Sequence, residues 1–491
     1  MQKILVANRG EIALRIMRTI RKMGIKSVAV FSEADRQSPH VAFADEAVCL
    51  GPAPSNQSYL KGDKIIEICK ELGVDGIHPG YGFLSENAEF AQKVQDAVIT
   101  FIGPGPEAMR VMGSKLAAKE CVKHYNIPMV PGIDQAITDL ALAKKIAAEI
   151  GYPILIKASA GGGGKGMRIV TKEADIDEQM QRAISEALAA FGDGSVFIEK
   201  YVTSPRHIEV QILADNEGNV IHTFERECSI QRRHQKVIEE TPSAIITPEL
   251  RMQIGNAAVM VAKSCNYVST GTVEFLMDDQ LNFYFLEMNT RLQVEHPVSE
   301  MITGLDLVEE QIRIARGEPL RYKQEDIKMN GHALELRVYA EDPLNNFLPS
   351  IGTLSTYKIP RGPGIRVDDG YEEGMTIPIY YDPMIAKLVV HGRDRTEAIQ
   401  MMLQAIRDFE LKGVATTLSF GTFVCGHEAF VSGNFDTHFV QKYYTPDLLK
   451  DAQKEKATVA ALAAIFYYGQ QQKKLQPVDH KTTSWKRRLS H

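Results

Sequence analysis

Residues 271–289, GTVEFLMDDQLNFYFLEMN, contain two apolar runs that predict a β-hairpin. If its loop is the pair Gln280–Leu281, then Glu274 and Glu287 lie directly opposite each other. Asn289 shares their face because side chains alternate along a strand. Like charges opposed across a hairpin destabilise it, so we expect a cation between them, and oxygen ligands favour Mg²⁺ or Mn²⁺ over zinc. The alternative interpretation is a pair of solvated glutamates or a shifted register.

The alternation of side chains continues beyond this hairpin as an extended run. It places Arg291, Gln293 and Glu295 on the side of Glu287. Arg291 offers a bidentate fork for a planar anion, and Glu295 beside it is suited to act as a base. Arg337, on a later predicted strand, is a second cation of this kind, although a surface ion pair is the simpler interpretation of that residue alone.

A glycine-rich loop lies between two further apolar strands in residues 152–170, YPILIKASAGGGGKGMRIV. Glycine lets backbone N–H groups approach an anion closely, Lys165 adds positive charge, and Lys157 on the preceding strand can reach a phosphate. A GxGxxG pattern is present, but a β-like segment follows it where a dinucleotide fingerprint requires a helix, and the Walker A pattern is not matched. The loop therefore predicts a triphosphate held between two strands; a flexible linker is the alternative.

The remaining sequence predicts alternating helices and strands, followed by strand-rich segments. The first third has a βαβ rhythm that implies a parallel sheet, and the turn Asn8–Glu11 lies where such sheets bind ligands. Strand signals dominate from about residue 204. Two signals carry little weight alone: the donor-rich run Gln231–Lys236 is by default a solvated face, and His207 is by default a structural histidine.

The composition of the 491-residue chain excludes several classes of protein. A net charge of −6 argues against a nucleic-acid-binding protein, and 44% hydrophobic with 24% charged residues is typical of a soluble globular protein. The longest apolar run, Val459–Tyr468, is too short to cross a bilayer, so we expect no membrane partner. Six scattered cysteines without a CxxC pair, and an N-terminus without a signal-peptide layout, favour the cytoplasm.

Taken together, the sequence resembles the ATP-grasp ligases and, among them, the biotin carboxylases. The matching strings are Ala7–Ala13, His78–Asn87, Gly161–Met167, Glu199–Tyr201, Glu225–Glu240 and Glu287–Pro297. The resemblance covers about residues 1–445 and implies an ATP-grasp fold of α/β and α+β class, with an N-terminal parallel α/β (Rossmann-like) domain, a mobile lid and a β-rich C-terminal domain. The implied domains are the N-terminal domain at residues 1–114, the ATP-grasp domain at 115–330 with its lid at about 132–202, and the C-terminal domain at 331–445. A C-terminal extension follows at 446–491.

The resemblance also implies a role for each matching residue. The residues implied to bind ATP are Lys115, Lys157, Gly161, Gly162, Gly163, Gly164, Lys165 and Gly166 at the phosphates, Glu199, Lys200 and the backbone near Val202 at the adenine, and His207, Gln231, His234 and Leu276 along the nucleotide pocket. The implied Mg²⁺ or Mn²⁺ ligands are Glu274, Glu287 and Asn289. The residues implied to act on bicarbonate and biotin are Lys236, Arg291, Gln293, the Val294 amide, Glu295 as the base, Arg337 as the cation beside the biotin enolate, and Tyr81 and Asp382 near the biotin pocket.

The implied activity is ATP-dependent carboxylation of biotin by bicarbonate through carboxyphosphate, catalysed by a carbon–nitrogen ligase that is expected to be a homodimer. Biotin is expected on a separate carrier protein, because the nearest string to a biotinylation turn, Ile327–Asn330, does not match one. A carboxyltransferase subunit is expected to pass the carboxyl group to acetyl-CoA, propionyl-CoA or pyruvate. Two alternatives stay open: another ATP-grasp ligase of carbamoyl-phosphate type, and a non-enzymatic nucleotide-binding protein.

The C-terminal extension differs in composition from the rest of the chain. Residues 454–468 predict a helix that ends at Gly469, and the only tryptophan, Trp485, lies in a basic tip. Tryptophan and arginine are enriched at binding hot spots, so we expect a subunit-docking element. A frayed, solvated tail is the alternative.

Overall fold

The chain begins with the alternating strands and helices that its sequence predicts. The computed structural model describes residues 1–132, 137, 139–158, 167–191 and 194–474. The N-terminal elements are β1 (Lys3–Val6), α1 (Gly10–Lys22), β2 (Lys26–Ser32), α2 (Pro39–Phe43), β3 (Glu46–Gly51), α3 (Gly62–Leu72), β4 (Gly76–His78), α4 (Ala88–Asp96), β5 (Thr100–Phe101) and α5 (Pro106–Gly113). The strands pair in the order β3-β2-β1-β4-β5, and each pairing is parallel, which confirms the predicted sheet.

Helix α1 illustrates how the sequence builds this layer. Ile12, Ile16 and Ile20 recur every fourth residue, so they form one buried stripe that packs into the core beneath the sheet. Gly24 follows the helix with φ of 71°, a left-handed conformation that commonly ends helices. The turn Asn8–Glu11 joins β1 to α1 at the carboxyl end of the strand, which is the ligand-binding edge of a parallel sheet.

A small antiparallel sheet with its own apolar core follows. Its segment contains α6 (Lys115–Lys123), α7 (Leu140–Ile150), β6 (Ile154–Ala158), β7 (Arg168–Val170), α8 (Ile176–Phe191) and β8 (Val196–Lys200). The strand order is β7-β6-β8, and Ile154 lies opposite Val170, as predicted for strands that flank the glycine run. The loop residues Gly161 to Gly166 lie outside the described residues, and the mobility of this lid stays a prediction.

A large antiparallel sheet occupies the central and C-terminal parts. Its strands are β9 (Arg206–Ala214), β10 (Val220–Arg232), β11 (Gln235–Thr241), β12 (Ser269–Met277), β13 (Phe283–Asn289), β14 (His332–Tyr339), β18 (Ile365–Asp369) and β19 (Met384–Gly392). They pair in the order β13-β12-β9-β10-β11-β14-β19-β18. Strands β11 and β14 are neighbours although residue 330 separates them in the chain, so one sheet crosses that predicted domain limit. The limits themselves stay predictions.

Helices and short strands cover this sheet. They are α9 (Pro248–Ser264), α10 (His296–Thr303), α11 (Leu307–Ala315), β15 (Glu341–Asp342), β16 (Leu348–Pro349), β17 (Thr356–Lys358), α12 (Arg395–Asp408), β20 (Glu410–Lys412), α13 (Leu418–Gly426), α14 (Glu428–Val431), α15 (Phe439–Tyr443) and α16 (Pro446–Lys474). Two apolar cores lie against it, one under α9 and one under α12 and α13. No helix in the described part of the chain combines the length and apolar character needed to cross a membrane.

The β12–β13 hairpin keeps the predicted opposition of Glu274 and Glu287, but not the predicted turn. The strands are joined by five residues, 278–282, because the Asp278 carboxylate accepts hydrogen bonds from the backbone N–H groups of Gln280 and Asn282, both at 2.9 Å. A bulge between Glu274 and Phe275 then shifts the register by one residue. The prediction of a two-residue loop is therefore wrong, and the bulge is what brings Glu274 and Glu287 opposite each other.

Two further predictions fail at element ends. The extended run does not continue to Glu295: β13 ends at Asn289, and Glu295 is the residue before α10, whose first turn contains a proline. The predicted helix end at Gly469 is also wrong, because α16 continues to Lys474. A single glycine costs a helix only about 1 kcal/mol, and glutamine and lysine, good helix formers, follow it.

Candidate active site

A cavity of about 1390 Å³ opens where the N-terminal sheet, the large sheet and the C-terminal helices meet. Its walls bring together residues that are far apart in the sequence. The predicted site residues that line it are Tyr81, His207, Gln231, His234, Lys236, Glu274, Leu276, Glu287, Asn289, Arg291, Gln293, Val294, Arg337 and Asp382. Glu295 is fully buried behind this wall and contacts two of these residues.

A row of charged side chains crosses four strands of the large sheet. Glu287, Glu274, Glu209 and Arg226 are successive cross-strand partners on β13, β12, β9 and β10, so they share one face. Arg226 is fully buried, and its Nε lies 2.5 Å from Glu209 Oε1. A buried arginine in such a row needs a carboxylate partner, because an uncompensated buried cation is very costly, and Glu209 is that partner.

Lys236 on β11 lies at the centre of the carboxylates. Its Nζ is 2.5 Å from Glu209 Oε2, 2.9 Å from Glu274 Oε1 and 2.8 Å from Glu295 Oε1. The prediction of a solvated face for Gln231–Lys236 is therefore wrong at this residue. The reason is non-local: the end of the β10–β11 hairpin lines the cavity, where carboxylates from other strands surround the lysine.

Glu295 is held between two cations. Besides Lys236, the Nη2 atom of Arg337 lies 2.8 Å from Glu295 Oε2. Burial alone would raise the pKa of Glu295, but Lys236, Arg337 and Arg226 outweigh it and hold that pKa well below its usual range. Glu295 is therefore a carboxylate with no proton, the state that a general base requires.

Arg337 is a buried residue, so a surface ion pair is the wrong interpretation of it. Its side chain is 9% exposed, and its Nε lies 2.6 Å from Glu239 Oε1. Burial raises the pKa of Glu239 to about 7, although the Arg337 charge opposes this rise. The Tyr339 hydroxyl lies 3.4 Å from Arg337 Nη1. The guanidinium is thus fixed from three sides at the cavity wall.

The predicted metal ligands combine a paired and an unpaired carboxylate. Burial opposes ionisation of Glu274, but Lys236 and His207, whose Nε2 is 2.9 Å from Glu274 Oε2, lower the pKa of this carboxyl. Burial and the nearby Glu274 charge raise the pKa of Glu287. No described residue forms a hydrogen bond or an ion pair with Glu287 in the structure. Its oxygen atoms therefore suit a hard cation such as Mg²⁺.

Arg291 is fixed by its own loop and by the N-terminal domain. It donates to Gln293 Oε1 at 2.9 Å and to Asn289 Oδ1 at 3.1 Å, and its Nε lies 2.8 Å from Glu86 Oε2. Gln293 in turn donates to Glu274 at 3.1 Å. The predicted extended run is therefore a loop rather than a strand. The loop still brings Arg291 and Gln293 together beside Glu274, as the alternation of side chains predicted.

The predicted adenine and phosphate residues lie apart from the cavity wall. Glu199 pairs with Lys157 and, at 2.7 Å, with Lys119; burial opposes its ionisation, but the two lysines together lower its pKa. Lys200 donates to the carbonyl groups of Gly151 and Tyr152 at 2.9 and 3.0 Å. Lys115 is exposed at the start of α6, and Val202 follows β8.

The remaining predicted residues have the following partners. Gln231 donates to the Cys228 carbonyl at 2.7 Å, and Asp382, whose pKa is raised by burial, accepts from the Met384 N–H at 2.9 Å. The Tyr81 hydroxyl donates to Glu11.

Sequence reasoning missed several charged residues of the site. These are Glu86, Lys119, Glu209, Arg226, Glu239 and Lys387. Lys119 could have been found, because it lies four residues after Lys115 and shares its helix face. Glu209 carries a weaker signal, a carboxylate between Ile208 and Val210, whereas Arg226 lies among other polar residues of β10 and carries none. Their pairing depends on strand order, which no local pattern contains.

Comparison with known proteins agrees with this architecture. Three family models match: "Biotin carboxylase, N-terminal domain" over residues 1–109, "Carbamoyl-phosphate synthase L chain, ATP binding domain" over 114–323, and "Biotin carboxylase C-terminal domain" over 335–442. The central model is named after the carbamoyl-phosphate enzymes. The two flanking models separate this chain from that alternative.

Individual relatives are similar over nearly the whole chain. Biotin carboxylase 1 of Bacillus subtilis is 49% identical, over 90% of this chain and 98% of the relative. The human mitochondrial propionyl-CoA carboxylase alpha chain is 52% identical over 94% of this chain, which spans only 64% of that relative's length. The biotin carboxylase domain dimer of Hydrogenobacter thermophilus 2-oxoglutarate carboxylase, solved with MgADP, ADP and bicarbonate, is 47% identical with a TM-score of 0.82, over 90% of this chain and 97% of that one. The chain belongs to the biotin carboxylases, the ATP-dependent ligases of the ATP-grasp fold.

Proposed function

We propose that this chain transfers a carboxyl group from bicarbonate to N1′ of biotin at the expense of ATP. The observation that carries the proposal is the arrangement around Glu295: an ionised, fully buried carboxylate between Lys236 and Arg337. It lies beside a cavity that contains Glu287, which has no ion-pair partner among the described residues. Such an array of buried charges is costly to fold, which favours an enzyme over a passive nucleotide-binding protein.

The two cations around Glu295 also provide a way to switch on the base. Bicarbonate is an anion, and we place it beside Lys236, Arg291, Gln293 and the Val294 amide. As it draws the cations toward itself, their hold on Glu295 weakens and the pKa of that carboxyl rises toward its usual value. Glu295 then accepts the bicarbonate proton.

Phosphoryl transfer follows from this deprotonation. A bicarbonate oxygen attacks the γ-phosphorus of ATP, the bond from phosphorus to the bridging oxygen breaks, and ADP leaves with the electron pair. Glu274, Glu287 and Asn289 would hold Mg²⁺ or Mn²⁺, which supplies positive charge against the phosphates. We assign Lys115, Lys157 and the loop Gly161–Gly166 to the same phosphates.

The second step moves the carboxyl group to biotin. Carboxyphosphate breaks its carbon–oxygen bond to release CO₂ and phosphate, and the phosphate takes the N1′ proton of biotin. The resulting enolate is paired with Arg337, and its N1′ forms the new bond to CO₂. Exclusion of water matters here, because water would consume the intermediate. Tyr81 and Asp382 lie in the wall where we expect the ureido ring.

We further propose the assembly in which this reaction takes place. Biotin arrives on a separate carrier protein, a carboxyltransferase subunit consumes carboxybiotin, and the chain itself forms a homodimer in the cytoplasm. The final acceptor is acetyl-CoA, propionyl-CoA or pyruvate. Assays of the purified complex with each of the three acceptors would distinguish them.

The test is the dependence of ATP hydrolysis on its co-substrates. We expect hydrolysis that requires Mg²⁺ or Mn²⁺ and bicarbonate, is stimulated by free biotin, and transfers labelled bicarbonate carbon to biotin. In the variant Glu295→Gln this hydrolysis should be lost, whereas Glu310→Gln, at a buried glutamate that pairs with Arg321 outside the cavity, is the matched control and should keep it. ATP hydrolysis indifferent to both bicarbonate and biotin would contradict the proposal.

A further inference from the structure

Lys387 is a fully buried lysine that has no part in the mechanism above. It lies on β19, where its cross-strand partners are Arg337 on β14 and Asp368 on β18. Two cations opposed on neighbouring strands repel each other, so each needs its own anions. Arg337 has Glu239 and Glu295, and the question is what holds Lys387.

The ammonium of Lys387 joins three separate segments. Its Nζ donates to the Val294 carbonyl at 3.0 Å, and it lies 3.3 Å from Glu11 Oε2 and 3.7 Å from Asp368 Oδ2. The Val294 carbonyl accepts a hydrogen bond from the ammonium, and the two carboxylates supply the opposite charge. Two of the partner residues, Val294 and Glu11, lie in the cavity wall.

The contact with Val294 bears on the geometry of the bicarbonate site. In a planar trans peptide the N–H and C=O groups point in opposite directions, so fixing one fixes the other. The Gln293 carbonyl is bonded to His296 Nδ1 at 2.8 Å, which sets the direction of the Val294 N–H. The Val294 carbonyl is bonded to Lys387, which sets the peptide that leads into Glu295.

The contact with Glu11 extends the same anchor to the opposite side of the cavity. Glu11 accepts the hydroxyl hydrogen bond of Tyr81, and its other carboxylate oxygen faces Lys387. One buried charge thus connects the N-terminal wall, the loop before α10 and the strand that neighbours Arg337.

We propose that Lys387 is a positioning residue for bicarbonate: it holds the Val294–Glu295 peptide so that the Glu295 carboxylate keeps its place beside the Val294 amide, which the His296 contact orients, and it does so without touching the substrate. This proposal rests on the proposed function. It predicts that loss of Lys387 weakens the binding of bicarbonate and leaves the binding of ATP unchanged.

The experiment compares Glu11→Gln with the double variant Glu11→Gln/Lys387→Met. Lys387→Met alone would strand two buried carboxylates, whereas the double variant removes one charge of each sign. Asp368 keeps its two contacts with Arg366, at 3.0 and 2.7 Å. Relative to Glu11→Gln, we expect the double variant to raise the KM for bicarbonate about 10-fold to 100-fold, as for loss of a charged hydrogen bond, with the KM for ATP unchanged.

A matched control measures the cost of breaking a buried ion pair outside the site. Arg251→Met removes the partner of buried Glu225 and should leave both KM values as in the wild type. Equal bicarbonate KM values for the single and double variants, or a parallel rise in the KM for ATP, would overturn the role of Lys387. Wild-type ATP hydrolysis without any bicarbonate dependence would instead overturn the proposed function.

Discussion

At the scale of single residues, the site is a set of carboxylates whose protonation is decided by the balance between burial and the neighbouring cations. Glu295 and Glu274 touch Lys236 and are held ionised, whereas Glu239 and Glu287 have pKa values raised by burial. Groups of one chemical type are thereby divided into a proton acceptor, a candidate metal ligand and a partner for Arg337.

Glu295→Gln tests the proton acceptor directly. The amide keeps the size of the side chain but cannot take the bicarbonate proton, so turnover should fall by about 10²–10⁴-fold while ATP binding stays nearly intact. Steady-state kinetics with a nucleotide-binding assay measure both. Turnover within a few fold of the wild type would mean that another group removes the proton.

Arg337→Lys tests the enolate partner. Lysine keeps the charge but lacks the planar fork that contacts Glu239 and Glu295 together. We expect biotin carboxylation to fall at least about tenfold more than bicarbonate-dependent ATP cleavage. Arg251→Lys, at a buried pair remote from the cavity, controls for the loss of fork geometry. Biotin carboxylation at the wild-type rate would contradict the enolate role.

At the scale of secondary-structure elements, the C-terminal helix α16 is distinct from the rest. Its first residues pack on the C-terminal core, with Leu449 8% exposed, but its later apolar side chains are exposed by 61–71%. These are Val459, Leu462, Ile465, Phe466, Tyr467 and Tyr468. Within the described residues, the cavity wall extends no further along the chain than Pro446. The exposed part of α16 is therefore separable from the reaction.

Truncation after Lys450 tests that separation. Because Leu449 stays in place, we expect carboxylation of free biotin within about twofold of the wild type, and weaker assembly with the carboxyltransferase or carrier protein. Co-purification of the assembly reports the second effect. Undiminished co-purification would show that the extension is not the docking element.

At the scale of the whole molecule, buried carboxyls make stability depend on pH in two directions. Burial raises the pKa values of Glu239 and Glu11 to about 7 from 4.5. The folded chain keeps these protons after the unfolded chain has lost them, so their stabilising contribution is complete below pH 4.5 and is lost as the pH rises through 7. Glu274 and Glu295, with lowered pKa values, contribute above pH 4.5 and lose that contribution as the pH falls.

Glu239→Gln isolates one of these contributions. The glutamine does not titrate, so the stability of the variant minus that of the wild type should rise by about 1–3 kcal/mol from pH 5 to pH 8. Denaturant unfolding of the variant and of the wild type at several pH values gives the difference curve. A difference that is constant over this range would show that Glu239 does not titrate near pH 7.

Much of this architecture could be predicted, and the exceptions share a cause. The opposition of Glu274 and Glu287 follows from the alternation of side chains along two adjacent strands, which is a local pattern. The five-residue turn and the compensating bulge depend on how the Asp278 carboxylate bonds to the backbone. The burial of Lys236 and Arg226 depends on the order β12-β9-β10-β11, which no stretch of sequence displays.

The large sheet, which crosses residue 330, fixes the spacing between the residues assigned to the two steps of the reaction. Glu274, Lys236 and Arg337 stand on β12, β11 and β14 of one hydrogen-bonded surface, whose strands are spaced by about 4.8 Å. In the part of the chain that the structure describes, the small sheet β7-β6-β8 shares no strand with this surface. If the small sheet opens and closes as predicted, this movement would change when water and biotin enter. It would leave the spacing of Glu274, Lys236 and Arg337 unchanged, and with it the distance that CO₂ travels in the proposed reaction.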